Sequence, residues 1–200
     1  MFITFEGIDG SGKSTQIQLL REWLSELGHS VHVFRDPGGT ALSEEIRNLL
    51  LNSDYDVHPV TELLLFSAAR AQLISEKVKP LLDQDKVVIL DRFYDSTIAY
   101  QGYGRSSLPL DEIRELNKIA SHNCIPDITF YLKLSLSEAQ NRTAPHPKDR
   151  MEQAGREFYQ KVIKGFNTLA KKKERFIAID ASGSADYTHR LIREKMQQLL

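Results

Sequence analysis

Cysteine is almost missing from this chain: a single Cys124 in 200 residues excludes an intrachain disulfide framework and fits a reducing compartment. Its simplest role is that of a small apolar side chain. Neither sign of charge predominates, with 26 lysines plus arginines against 27 aspartates plus glutamates, so no global field draws the chain to nucleic acid or an anionic membrane. Cations must therefore act locally. Apolar runs stop at about four residues, as in Val87-Val88-Ile89-Leu90, well short of a membrane span, and the sequence starts with strand pattern rather than a basic and then apolar leader. A cytoplasmic protein is expected, with no nucleic-acid or membrane partner. The six histidines show no metal spacing, and there is no internal repeat or low-complexity linker. A composition of 41% hydrophobic and 26% charged residues suits one well-buried core, so residues 1–200 are expected to form one domain.

What the chain does have is a complete phosphate-binding loop, Gly7-Ile8-Asp9-Gly10-Ser11-Gly12-Lys13-Ser14-Thr15, directly after the apolar stretch Phe2-Ile3-Thr4-Phe5. The glycines let backbone N–H groups turn onto phosphate oxygens, Lys13 can bridge the terminal phosphates, and Ser14 offers a hydroxyl to Mg²⁺. A Gly-rich turn without ligand is the competing reading, and the strand before and helix after count against it.

Beyond the loop, Ile17, Leu20, Leu24 and Leu27 recur at helical spacing, Gly28 supplies a stop, and Val31-His32-Val33-Phe34 reads as a strand. Helices are expected from Leu42 to Leu51 and from Pro59 to Leu82, then a buried strand from Lys86 to Leu90. Ile128 to Leu132 and Phe176 to Ile179 make two further strands, each followed by helix, and a last helix runs from about Ala185 to the end. The alternation predicts an α/β fold with a five-stranded parallel sheet, helices on both faces and ligands at the carboxyl ends of the strands. Thr143 to Asp149 carries two prolines between helical stretches and reads as a mobile lid, about residues 142–152.

At those strand ends, Asp91 stands where a carboxylate aligns the water shell of a Mg²⁺ ion, and Arg92 beside it can take a second phosphate or form a surface ion pair. Arg35 to Thr40 opens a helix, as an anion site or as a plain turn. Leu63, Phe66, Arg70 and Leu73 share one stripe of the long helix, so Arg70 needs an acceptor, either an internal carboxylate or a ligand oxygen. Phe66 is core or a stacking platform. With Tyr100 and Gln101 the set offers aromatic faces and hydrogen-bond donors suited to a nucleobase. Asn117-Lys118 begins like a guanine-reading N-K-x-D motif, but Ala120 fills the fourth position. Lys171-Lys172-Lys173 reads as a solvated helix end.

Taken together, Phe5 to Gln16, Asp36-Pro37-Gly38-Gly39-Thr40, Glu44 to Arg47, Leu65 to Arg70, Asp91 to Thr97, Ala99 to Gly104, Pro126-Asp127 and Asp149 to Glu152 resemble, in order and over nearly the whole chain, the bacterial type of the thymidylate kinase family among P-loop nucleoside monophosphate kinases. The resemblance implies transfer of the ATP γ-phosphoryl group to dTMP with Mg²⁺, and a homodimer. It implies that Phe66 stacks on thymine, Arg70 donates to a thymine carbonyl, Thr97 and Gln101 line the base, and Tyr100 crowds the sugar's 2′ side. Ser96 belongs to the same acceptor set. Arg92 and Arg47 would hold the dTMP phosphate, Asp9 and Asp36 would sit near the metal and the moving group, and Arg142 would lie against adenine. Family members have Glu where this chain has Asp36, and a cis bond before Pro37 is a further expectation. Because Ser11 stands where some members carry a catalytic arginine, the catalytic cation is expected in the lid, as Arg150 assisted by Lys148. A kinase for another nucleoside monophosphate and a nucleotide-dependent switch are the competing functions; the second lacks an acceptor and is disfavoured by the missing N-K-x-D.

Overall fold

The structure, a computed structural model, describes residues 1–52, 55–144, 150–151 and 154–200. The five expected strands are present: β1 (Phe2–Glu6), β2 (Val31–Arg35), β3 (Val87–Asp91), β4 (Ile128–Lys133) and β5 (Phe176–Asp180). They pair in parallel in the order β2-β3-β1-β4-β5, which puts β1 at the centre, its Phe5 in register with Asp91 on one side and Phe130 on the other. The phosphate loop therefore leaves the middle of the sheet at its carboxyl edge, where ligands of such sheets bind.

Strand alternation sorts the core. Ile3, Phe5, Ile89 and Phe130 face one side and pack with Ile17, Leu20 and Leu24 of α1 (Lys13–Glu26) and Ile192 and Met196 of α9 (Ala185–Met196). The opposite face of β1 carries Phe2, Thr4 and Glu6, all buried, so polar groups enter the centre of the sheet and need internal partners. Leu27 is 53% exposed and follows α1 rather than extending its buried stripe, because the chain already turns there into Gly28 at a φ of 88°.

Helix α2 (Ala41–Leu51) starts where Thr40 accepts from the Ser43 backbone N–H at 3.1 Å. The long helix expected from Pro59 to Leu82 is interrupted: α3 (Pro59–Leu73) gives way to a π-helical turn, Ile74–Val78, before the short α4 (Lys79–Leu82). A second π-helical stretch, Ile98–Gly104, continues the short α5 (Tyr94–Thr97) and brings Tyr100 and Gln101 inward. Helices α6 (Leu110–Ala120), α7 (Leu136–Thr143) and α8 (Arg156–Lys172) complete the described elements. The expected lid lies largely outside the described residues. Among the described residues no helix is long and apolar enough to cross a membrane.

Candidate active site

Helix α1 begins inside the phosphate loop, with Gly12 at a φ of 91° ahead of Lys13, so its first N–H groups point into an open cavity of about 480 Å³. Two glycines are required by space as well as by backbone angle. A Cβ on Gly7 would stand 2.8 Å from the Leu132 carbonyl oxygen, and one on Gly10 would stand 2.7 Å from that of Ala139. The Lys13 ammonium donates to the Gly7 and Ile8 carbonyls at 3.2 Å, and burial, reinforced by Arg92, lowers its pKa.

The next turn of the site comes from β3. Arg92 adopts a φ of 68°, which turns its side chain back over the phosphate loop, where it donates to the Gly7 carbonyl at 2.7 Å and to Asp9 at 2.6 Å. Its guanidinium also lies 5.1 Å from the Tyr100 ring centre. Although burial works against the cation, Tyr100, Asp9, Asp91 and Glu6 hold the Arg92 pKa above its ordinary value. For Asp9, burial is likewise outweighed, by Arg92 and Lys13, and its pKa falls. Loop and arginine thus form one charged unit.

A second, narrower pocket of about 90 Å³ lies behind this unit, and Phe66, Arg70, Ser96, Thr97, Tyr100 and Gln101 are among its lining. Arg70, 1% exposed, answers the question its apolar stripe raised. Its guanidinium donates to Asp36 at 2.6 Å, to Asn117 Oδ1 at 3.0 Å and to Thr97 Oγ1 at 2.7 Å. Asp36 is only partly satisfied: its Oδ1 is buried without a hydrogen-bond partner among the described residues, and burial raises its pKa against the pull of Arg70. Phe66 packs against Ile46, Leu50 and Ala69 and also lines the pocket. The peptide bond before Pro37 is cis, and the Pro37 carbonyl accepts from Arg47 at 3.0 Å.

Asp9, Asp36, Arg47 and Arg92 line both cavities. They form the partition across which a group bound on the loop side would face one bound on the pocket side. On the loop side, Ser14 and Asp91 line the same cavity, and Asp91 Oδ1 is buried without a hydrogen-bond partner among the described residues. A hydroxyl and an unsatisfied carboxylate oxygen are the hard donors that Mg²⁺ favours, directly or through water, so these residues fit that ion. Arg142 at the end of α7 donates to the Ala181 carbonyl at 3.0 Å and reaches the Gly10 carbonyl at 3.5 Å, closing the rim of the loop-side cavity.

Arg150 is placed elsewhere. It donates to Glu62 at 2.6 Å and to the Leu50 carbonyl at 2.8 Å, and it lines neither of these cavities. Lys148 lies outside the described residues. Lys173 is not merely part of a solvated helix end: it and Arg175 each reach the fully buried Asp95 at 2.7 Å. Reasoning from the sequence missed Glu6, Glu62 and Asp95, and weighed Asn117 only as part of an N-K-x-D motif rather than as a partner of Arg70. The first two carried a signal, a carboxylate inside an otherwise apolar strand or helix stripe, which has to find a partner.

Three comparisons bear on this geometry. The sequence model of the family Thymidylate kinase matches residues 5–192. A thymidylate kinase of Prosthecochloris aestuarii is 48% identical over 205 residues, covering 97% of this chain and 92% of that protein. One from Chlorobaculum tepidum is 46% identical over 210 residues, covering 100% and 98%. The crystal structure of thymidylate kinase from Ehrlichia chaffeensis superposes with a TM-score of 0.82 at 40% identity, covering 98% of each chain. A match over nearly the full length, together with a phosphate loop that shares a charged partition with a second pocket, shows that the chain belongs to the thymidylate kinase family.

Proposed function

We propose a division of labour for the phosphorylation of dTMP to dTDP that this family performs: the loop-side cavity takes ATP, and the narrow pocket behind it takes dTMP. The observation that carries this reading is the partition itself, because Asp9, Asp36, Arg47 and Arg92 face both cavities and can hold two phosphate groups end to end. The dTMP phosphate has a second pKa of about 6, so its attacking oxygen is largely anionic at neutral pH and needs placement more than a base. Arg92 and Arg47 would neutralise and aim it. The backbone of Gly7 to Thr15 and the Lys13 ammonium would hold the ATP phosphates, with Arg142 against adenine. Mg²⁺ held near Ser14 and Asp91 would supply charge neutralisation between the terminal phosphates. On the acceptor side, Phe66 would stack on thymine, Arg70, Thr97 and Gln101 would line its polar edge, Ser96 would stand near the phosphate, and Tyr100 would exclude a 2′-hydroxyl.

Lys13 and Arg92 already line the partition or the cavity beside it, so they are the first cations available to the moving phosphoryl group. Arg150 would join them only by leaving Glu62. A cytoplasmic, single-domain homodimer completes the reading; α3 packs against both α2 and α6, and Leu42, Leu49, Leu64 and Ile119 are exposed on these helices. The test of the loop's role is Lys13→Ala. It should lower kcat by on the order of 10³ with the fold and dTMP binding retained, as when one preorganised donor to a transition state is removed. Near-normal turnover would take the loop out of the mechanism.

A further inference from the structure

Glu62 is fully buried on α3 and lines neither the loop-side cavity nor the pocket behind it. Its carboxylate accepts from Gln101 Nε2 at 3.0 Å and Arg105 Nε at 3.4 Å through one oxygen, and from Arg150 Nη2 at 2.6 Å through the other. Gln101 is itself 2% exposed and lines the acceptor pocket. A glutamine amide can sit in two orientations, but an ionised carboxylate only accepts hydrogen bonds. With the amide turned over, a carbonyl oxygen would face a carboxylate with no hydrogen between them, inside a protein interior where such a clash is expensive. One hydrogen of the NH₂ group is therefore committed to Glu62, and that fixes which way round the amide sits. What Gln101 has left for the pocket is its carbonyl oxygen, an acceptor, beside the second N–H.

An acceptor at that point distinguishes the two pyrimidines. The ring nitrogen of thymine between its carbonyls carries a hydrogen, whereas the matching nitrogen of cytosine carries a lone pair. We propose that Glu62 is a positioning residue for base selection: by binding the Gln101 NH₂ group, it presents the Gln101 carbonyl oxygen to the acceptor base and so favours thymine over cytosine. This rests on the reading that Gln101 lines the base. The contrast is of the strong kind, since a polar site left facing the wrong edge is buried without a partner.

The test compares dTMP with 5-methyl-dCMP, which differ only along the base-pairing edge, for the unchanged protein, Glu62→Gln and Gln101→Ala. A neutral amide at position 62 both donates and accepts, so in Glu62→Gln the Gln101 amide is free to take either orientation. The ratio of kcat/KM for dTMP to that for 5-methyl-dCMP should then fall about tenfold or more. The fall should come through a raised KM for dTMP, with KM for ATP unmoved; a general loosening of the fold would disturb both. If Gln101→Ala removes discrimination while Glu62→Gln retains the full ratio, the role of Glu62 is overturned and the pocket assignment stands. If neither variant changes the ratio, both fall. Should Glu62→Gln not fold, a neutron crystal structure of the unchanged protein with dTMP, which distinguishes the amide nitrogen from its oxygen, decides. Gln101 Nε2 kept on Glu62 with Oε1 against the thymine ring N–H supports the proposal, and Gln101 turned away from Glu62 overturns it.

Discussion

Replacing Glu6 with glutamine should make the protein more stable at neutral pH. Glu6 ends β1 on its polar face, fully buried, and accepts from the backbone N–H groups of Phe93 at 3.0 Å and Ser96 at 3.2 Å, and from Ser96 Oγ at 2.5 Å. Burial first, and then the charge of Asp95, push its pKa from 4.5 up to about 8, against those hydrogen bonds and the pull of Arg92. Lys13 is the other cation facing it, and Asp95 is itself held by Lys173 and Arg175. Moving an acid's pKa that far corresponds to about 5 kcal/mol, at about 1.4 kcal/mol per tenfold change in proton affinity. Below pH 4.5 the folded and unfolded chains both carry this proton, and its contribution is fully present. Above that value the unfolded chain releases the proton while the folded chain keeps it, so stability falls as pH rises, until Glu6 ionises near pH 8. Glutamine keeps the shape and a donor and cannot ionise. Between pH 5 and 7.5 the unchanged protein should therefore lose about 3 kcal/mol relative to Glu6→Gln, or roughly 10 °C in Tm for a chain of this size. Thermal melts of both proteins across that range give the answer, other titrating groups cancelling in the difference. Parallel Tm curves would refute a proton held on Glu6.

Arg70→Ala should raise KM for dTMP and also cost about 3–5 kcal/mol of stability, read by denaturant unfolding, because it strands the buried Asp36 carboxylate; unchanged stability would mean that this pair is not closed in solution. The exposed leucines of α2 and α3 predict that the 22.8 kDa chain sediments at twice its mass, with Leu64→Glu shifting it toward the monomer; a monomer at all concentrations would remove the dimer from the account.

The parts of the fold that were legible in the sequence are those set by neighbours along the chain. Each strand is a run of five or six residues, most of them apolar or β-branched, and Gly28 and Thr40 mark boundaries through a positive φ and a side-chain cap. The phosphate loop is local for the same reason. Spacing also pointed to Arg70 as a buried cation in need of an acceptor. Which acceptor it would find was not legible, since Asp36, Thr97 and Asn117 lie 27 to 47 residues away. Similarly, Glu6 meets Ser96 across 90 residues and Arg150 meets Glu62 across 88. Such pairings follow from strand order and helix placement, which periodicity leaves open. The π-helical turn at Ile74–Val78 was missed because the apolar pattern runs straight through it. Lys173 was read as solvated because helix-end position alone cannot reveal a buried carboxylate arriving from α5.

In the proposed mechanism the partition of Asp9, Asp36, Arg47 and Arg92 joins an ATP site to a pocket for thymidine monophosphate. Initial rates of ADP release with dTMP, dCMP, dGMP and AMP as acceptors, at fixed ATP and Mg²⁺, test it most directly. Turnover with dTMP should lie far above that with the other three, and comparable rates with a purine nucleotide would contradict the thymine assignment.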